Sequence, residues 1–334
     1  MKKILFKSAF LVVLLLNVTV IIAQDKEKER TEPKFKKTKS YTKSYSLSSN
    51  DKINLENQFG EMKLITWDKN EVKVDVSITG KSDEEDRAQT ILDRISISDG
   101  KDGNSVLFKT KMENQKSDWN NKKGNYNEGM EINYTVYLPS GNPLKASNQF
   151  GKMIVPDYKG EAELESKFGS LTAGKITNAK EVSVEFGKAD IAQISGGKLS
   201  IKFSNGTVNK LSGDVKSNLE FSKVKLNIDN DVKILTINNS YSTVYLDLDK
   251  SFSATYDVTT SHGSFSNESS FEIKKEGEKN DNHYGPEFTK HYTGTSGSGS
   301  SKVKVSSSFG EIIAGHNMTV DMTEKRKNKS TRSI

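Results

Sequence analysis

The sequence predicts an all-β chain built as a parallel β-helix or β-solenoid of roughly 19-residue rungs. An N-terminal β-rich capping unit containing one short helix precedes the rungs. Three observations predict this: a Phe-Gly pair recurs at a near-constant interval, the apolar alternation changes parity at each recurrence, and helix signals are scarce. The pair appears as Phe150-Gly151, Phe168-Gly169 and Phe186-Gly187, with degenerate copies at Asn205-Gly206, Phe221-Ser222, Tyr241-Ser242 and His262-Gly263. Indexed on the glycine or its serine substitute, the steps are 18, 18, 19, 16, 20 and 21 residues.

Before each glycine the larger side chains fall at odd offsets, as with Val182, Val184 and Phe186; after it they fall at even offsets, as with Ala189 and Ile191. An uninterrupted strand would send the two sets to opposite faces. A glycine corner that adopts positive φ keeps both strands on one core, so Gly151, Gly169, Gly187, Gly206, Gly263 and Gly310 are read as corners. Stacking then brings Phe150, Phe168, Phe186, Phe221 and Tyr241 into one column, expected to face the core, and Phe168 is expected to be a fully packed member of it.

In chain order, residues 1–23 read as a signal peptide, with Lys2 and Lys3 followed by an apolar stretch that closes at Ala23; an uncleaved anchor is the alternative. Residues 24–44 read as a charged linker. Residues 45–145 read as the capping unit: Phe59-Gly60 is an early copy of the repeat, Val72 to Ile78 alternate as a strand, and Asp83 to Ile95 is a helix with Ser82 as its N-cap. Residues 146–315 carry the repeats, closing on Phe309-Gly310, with a polar insertion at 271–300. Residues 316–334 are a basic tail. The spliced chain, without the insertion, is expected to fold, because the rungs on either side keep their own core residues.

The chain has no cysteine, which excludes disulfides and thiolate metal sites. The pI is near 9.0, yet without the signal and the stretch from Glu324 onward the body has 42 basic and 43 acidic residues. A phosphate-tracking groove, and hence a nucleic-acid partner, is therefore not expected. No membrane segment is expected after signal removal, and the expected destination is the periplasm, the cell surface or the medium.

The segments Leu55 to Gly60, Ile65 to Val74 and Tyr134 to Pro139, together with the serial Phe-Gly pairs and Gly297-Ser298-Gly299, resemble the bacterial putative-adhesin family built from β-strand repeats. The likeness covers residues 45 to 315. It implies an exported β-solenoid of the cell envelope with an adhesin role, and it supplies no catalytic residues.

Catalytic, cofactor and metal sites are all expected to be absent. The acids of the repeats read as a solvated face that does not line up on successive rungs, as paired carboxylate chemistry would require. His283 and His291, with Asp281 and Glu287, match no metal spacing. Asn227 to Asp231 alternates oxygen ligands but lacks the glycine and glutamate of a calcium loop, and reads as a turn. Gly294 to Lys302 precedes a strand and so is not a phosphate loop. His283, Tyr284, Phe288, His291 and Tyr292, in the insertion, form the candidate partner loop. The leading functional reading is a non-catalytic scaffold for a glycan, an envelope polymer or a protein. The alternatives are a polysaccharide-acting enzyme and an envelope assembly or regulatory component.

Overall fold

Alternation of apolar and polar residues makes nearly every described segment a strand. The computed structural model describes residues 32–113, 127–277 and 288–322; the expected signal, His283, Tyr284 and most of the basic tail lie outside them. The fold is all-β with one helix, and its strands belong to a single sheet that nearly closes on itself.

The N-terminal elements are β1 (Phe35–Ser46), β2 (Lys52–Gln58), β3 (Met62–Thr66), β4 (Glu71–Ser82), α1 (Glu85–Asp93), β5 (Ile95–Asp102), β6 (Ser105–Met112) and β7 (Gly129–Leu138). β1 takes up residues 35–44 of the expected linker and pairs antiparallel with β4 along its whole length. Its half-buried positions are Lys37, Lys39, Tyr41 and Tyr45 rather than aliphatic residues, so the alternation reads as polar sequence. The helix is shorter than expected, because Ile95 already begins β5. Ser82 is not its N-cap: it ends β4, and its hydroxyl accepts the Glu84 amide at 3.3 Å while Glu84 occupies the cap. Ala88, Ile91 and Leu92 pack α1 inward over Gly80, where a Cβ would lie 2.4 Å from the Ala88 carbonyl oxygen.

The central elements are β8 (Leu144–Gln149), β9 (Lys152–Val155), β10 (Ala162–Lys167), β11 (Ser170–Ile176), β12 (Ala179–Glu185), β13 (Lys188–Lys202), β14 (Asn205–Glu220), β15 (Lys223–Ser240) and β16 (Thr243–Leu248). They pair in parallel with equivalent positions one repeat away: Leu171 with Ala189, Ala189 with Gly206, Gly206 with Val224 and Val224 with Val244. Two ladders result, one of strands before the corner and one of strands after it, and β13, β14 and β15 each run from one ladder into the other. At the N-terminal end, β2 pairs with β8 and β3 with β9, so the Phe59 copy lies beside the Phe150 copy despite the 91 residues between them.

The C-terminal elements are β17 (Ala254–Ser261), β18 (Ser264–Asn267), β19 (Ile273–Lys275), β20 (Thr289–Ser296), β21 (Ser301–Ser308) and β22 (Glu311–Gly315). Here spatial order departs from chain order. β21 lies between β15 and β17, parallel to both, and β22 lies between β16 and β18. The described part of the 271–300 insertion is largely strand: β20 pairs antiparallel with β17, and β19 with β20.

Aliphatic side chains from the two ladders fill the interior, including Leu55, Leu164, Val182, Leu199, Val224 and Val305, all buried. A recurring polar position within it lies two before the corner aromatic, at Asn57, Asn148, Ser166, Asn239, Thr260 and Ser307. There the Asn57 amide donates to Asn148 Oδ1 at 3.0 Å, and Asn239 donates to Ser307 Oγ at 2.9 Å. Buried amides bonded in this way across neighbouring strands resist register slippage, because a shift would leave them unpaired.

Candidate binding surface

The corner geometry differs from the expectation in which residue is left-handed. Phe59, Phe150, Phe168, Phe186, Phe203, Phe221, Tyr241, His262 and Phe309 all have φ between 49° and 63°, whereas none of the glycines that follow them has positive φ. Continuing the alternation through Leu164 and Ser166 would turn Phe168 inward, but the left-handed backbone rotates it outward and leaves Leu171 buried on the other side. The column therefore stands outside the core: Phe150, Phe168, Phe186, Phe221 and Tyr241 are 40–49% exposed.

The corner glycines answer a different need. A Cβ on Gly151, Gly169 or Gly187 would lie 1.9 Å from the carbonyl oxygen of the preceding corner glycine, and one on Gly263 would lie 2.3 Å from Gly310 O. Backbone bonds hold the corners together at this closeness, as when the Lys188 amide donates to Gly169 O at 3.1 Å. Gly206 is not a corner. It lies in β14 between Ala189 and Val224, and its missing Cβ leaves room for Ile201 Cδ1. The corner of that repeat is Phe203-Ser204, hidden from the sequence reading because serine replaces glycine and Asn205-Gly206 resembles a turn.

Three successive corners use serine. Ser204 Oγ accepts the Gly187 amide at 2.9 Å, Ser222 Oγ accepts the Ser204 amide at 3.2 Å, and Ser242 Oγ accepts the Ser222 amide at 3.0 Å. Each hydroxyl in turn donates to the carbonyl two residues before it. Serine thus replaces close backbone contact with a hydroxyl bridge between repeats.

Outside the corners the rings form one stack, in the order Phe59, Phe150, Phe168, Phe186, Phe203, Phe221, Tyr241, Phe309, His262 and Phe288. Successive centroids are 4.7–5.0 Å apart and the planes lie within 19° of parallel. Each interior ring has both faces covered by neighbours, so the stack presents ring edges to solvent.

The insertion residues are therefore partly committed. Phe288 ends the stack on His262, Tyr292 packs on Phe265 at 5.0 Å, and His291 Nδ1 lies 3.1 Å from Thr259 Oγ1. Removing the insertion would strip β20 from β17 and leave an open strand edge behind.

Beside the stack, the outer face of the pre-corner ladder carries columns of short polar side chains. Ser183, Ser200, Asn218, Asn238, Ser306 and Thr259 are register partners in sequence, with Asn238 donating to Asn218 Oδ1 at 3.0 Å. Acids do meet on successive strands at one place, contrary to expectation: Glu163 and Glu181 are register partners on β10 and β12. Lys145 and Lys198 adjoin them in the same column, Lys145 hydrogen-bonds Glu163, and Lys180 lies 3.5 Å away. The Lys145 hydrogen bond is the main reason that the Glu163 carboxyl lies below the usual range. For Glu165, burial acts to raise the pKa, but hydrogen bonds from Lys167 and Ser147 outweigh it and lower the net value.

A shallow cleft of about 190 Å³ lies between Asn209, Asn227, Asp229, Asp247, Asp249 and Asn317. Its acids are engaged: Asp229 with Lys210 at 3.0 Å, Asp247 with Lys225 at 3.0 Å, and Asp249 with Ser251. Among the described residues no group of three His, Asp or Glu side chains could hold a metal ion. Likewise, no helix among them is long and apolar enough to cross a membrane.

No family model matches this chain. No curated protein matches it either. Among solved structures it is similar to a putative adhesin from Bacteroides fragilis, with 11% identity, TM-score 0.36, and coverage of 83% of this chain and 97% of that one. It is also similar to a putative cell adhesion protein from Clostridium sporogenes, with 16% identity, TM-score 0.23, and coverage of 84% and 100%. A third similar structure is a putative lipid binding protein from Parabacteroides distasonis, with 13% identity, TM-score 0.31, and coverage of 82% and 96%.

Proposed function

We propose that this chain is an exported, non-catalytic β-solenoid of the cell envelope that holds an extended polymer, a glycan by preference, in an adhesin-type role. The observation that carries the reading is the outer pre-corner face. It repeats short hydroxyl and amide side chains in register, from Ser183 to Thr259, at the spacing of the strands. A flat, periodic row of donors and acceptors suits a ligand that is itself periodic and hydroxyl-rich. Short side chains also lose little rotamer entropy on binding.

The non-catalytic part of the reading is supported by the state of the acids. Acid catalysis on a glycoside needs one carboxyl whose pKa is raised so that it holds a proton near neutral pH. Glu163 and Glu165 are shifted the other way by lysines of their own and adjacent strands.

The test is titration of the purified mature chain against envelope polysaccharides, alongside a variant carrying Asn238→Lys, Ser306→Lys and Thr259→Lys. The expected result is saturable binding that the variant loses by tenfold or more while its melting temperature changes little. Equal binding by variant and parent, or steady release of reducing ends from any bound polysaccharide, would overturn the reading.

A further inference from the structure

The stacked ring edges form a straight apolar row that a binding role for the pre-corner face leaves unused. Seven of its side chains, from Phe150 to Phe309, are each 40–49% exposed, and Phe288 is 55% exposed. An aromatic side chain offers about 150–250 Å², so the row exposes on the order of 700–800 Å² of apolar surface. The largest apolar patch on a typical monomer is about 300–600 Å², and each partner of a standard protein interface buries about 800 Å². The row is also held at a backbone cost, since left-handed φ is strained at a non-glycine residue and favours Gly or Asn over Phe.

Its shape restricts what can cover it. The ring faces are occupied by neighbouring rings, which removes the platform on which a flat ligand would stack. What remains is a line of edges with a pitch of 4.7–5.0 Å. An extended peptide laid along it advances about 3.3 Å per residue and falls out of step. A second stack of strands has the same pitch and stays in step throughout.

We propose that the row is a homodimer interface, formed with a second copy of this chain about a two-fold axis parallel to the row. That axis sets each residue just before a corner aromatic opposite the residue two past the same aromatic in the other copy. Lys188 then faces Glu185 of the second copy, and Lys223 faces Glu220, each contact occurring twice by symmetry. At the intervening levels Lys152 meets Gln149, Lys167 meets Ser170, and Lys202 meets Asn205, so no like charges oppose one another from Phe150 to Phe221. A two-fold axis perpendicular to the row would instead lay the column of Lys152, Lys188 and Lys223 against itself. The proposal goes beyond the polymer-binding reading and does not depend on it.

The experiment is sedimentation of the mature chain over a concentration series, with two charge variants. The parent is expected to be a concentration-dependent dimer. Glu185→Lys with Glu220→Lys should weaken dimerisation by tenfold or more, and adding Lys188→Glu with Lys223→Glu should restore it. Glu185 and Glu220 also lie 4.0 and 2.7 Å from Lys167 and Lys202 of their own chain, so each charge variant is first shown to keep a single cooperative melt; Phe186→Ser with Phe221→Ser provides a second route to the monomer with no change of charge. A parent that is monomeric at all concentrations, one that forms open-ended polymers, or charge exchange that fails to restore dimerisation would overturn the proposal. So would a monomer that binds phosphatidylglycerol–phosphatidylcholine vesicles and loses that binding in the Phe186→Ser, Phe221→Ser variant.

Discussion

Phe168 illustrates how one dihedral angle changes the energetics of a residue. A core phenylalanine would cost about 3–5 kcal/mol on truncation to alanine, but Phe168 is 48% exposed and contributes mainly two ring contacts. Such contacts are worth about 0.5–1.5 kcal/mol each, so Phe168→Ala is expected to lower stability by about 1–3 kcal/mol in denaturant titration. Its φ of 53° adds a second expectation: Phe168→Gly should be less destabilising than Phe168→Ala, because glycine adopts this conformation without a Cβ penalty. The neighbouring residue should behave in the opposite way. Gly169→Ala puts a Cβ 1.9 Å from Gly151 O, a backbone atom that cannot move without opening the corner, and should cost about 3 kcal/mol or more.

At the scale of elements, the corners come in two chemistries that predict different mutational behaviour. Where Ser204, Ser222 and Ser242 replace glycine, each hydroxyl accepts an amide of the adjacent corner. Ser222→Ala should leave the Ser204 amide unpaired in a buried site and cost about 1–3 kcal/mol, measurable as a shifted denaturant midpoint. The insertion acts as an edge cover: β20 satisfies one side of β17, whose other side pairs with β21. A chain joining residue 270 to residue 301 is therefore expected to scatter light and self-associate at concentrations where the parent does not, since the exposed β17 edge can template another strand.

For the whole molecule, ion pairs within and between strands link stability to pH. Glu163, Glu165 and Glu131 have folded-state pKa values below the ordinary glutamate value of 4.5, and Asp51 lies below 3.8. A depressed carboxylate pKa means that the unfolded chain binds protons first. The stabilisation is therefore fully present above the ordinary value and is lost as pH falls through the folded value. Thermal melts should show a constant midpoint from pH 7 to about 5 and a decline below about 4. Lys145→Met should flatten that decline, because Lys145 is the leading cause of the Glu163 shift.

Most strands, the spacing of roughly 19 residues and the spatial column of Phe150, Phe168 and Phe186 were legible from the sequence, because period-two alternation and fixed spacing are local properties that stacking merely repeats. The side of the sheet on which that column stands was not legible. The sequence places polar Asn148 and Ser166 where the core is and phenylalanine where solvent is, and only the left-handed φ of the aromatic residue reverses them. Phe203 was missed for a local reason, since serine hid the corner and Asn205-Gly206 supplied a false one. β1 was missed because lysine and tyrosine occupy its half-buried positions. The placing of β21 between β15 and β17, and of Glu163 beside Glu181, was decided by tertiary structure alone. Strand pairing is a contact between residues far apart in the chain, and alternation within a strand specifies which face is buried but not which neighbour lies beside it.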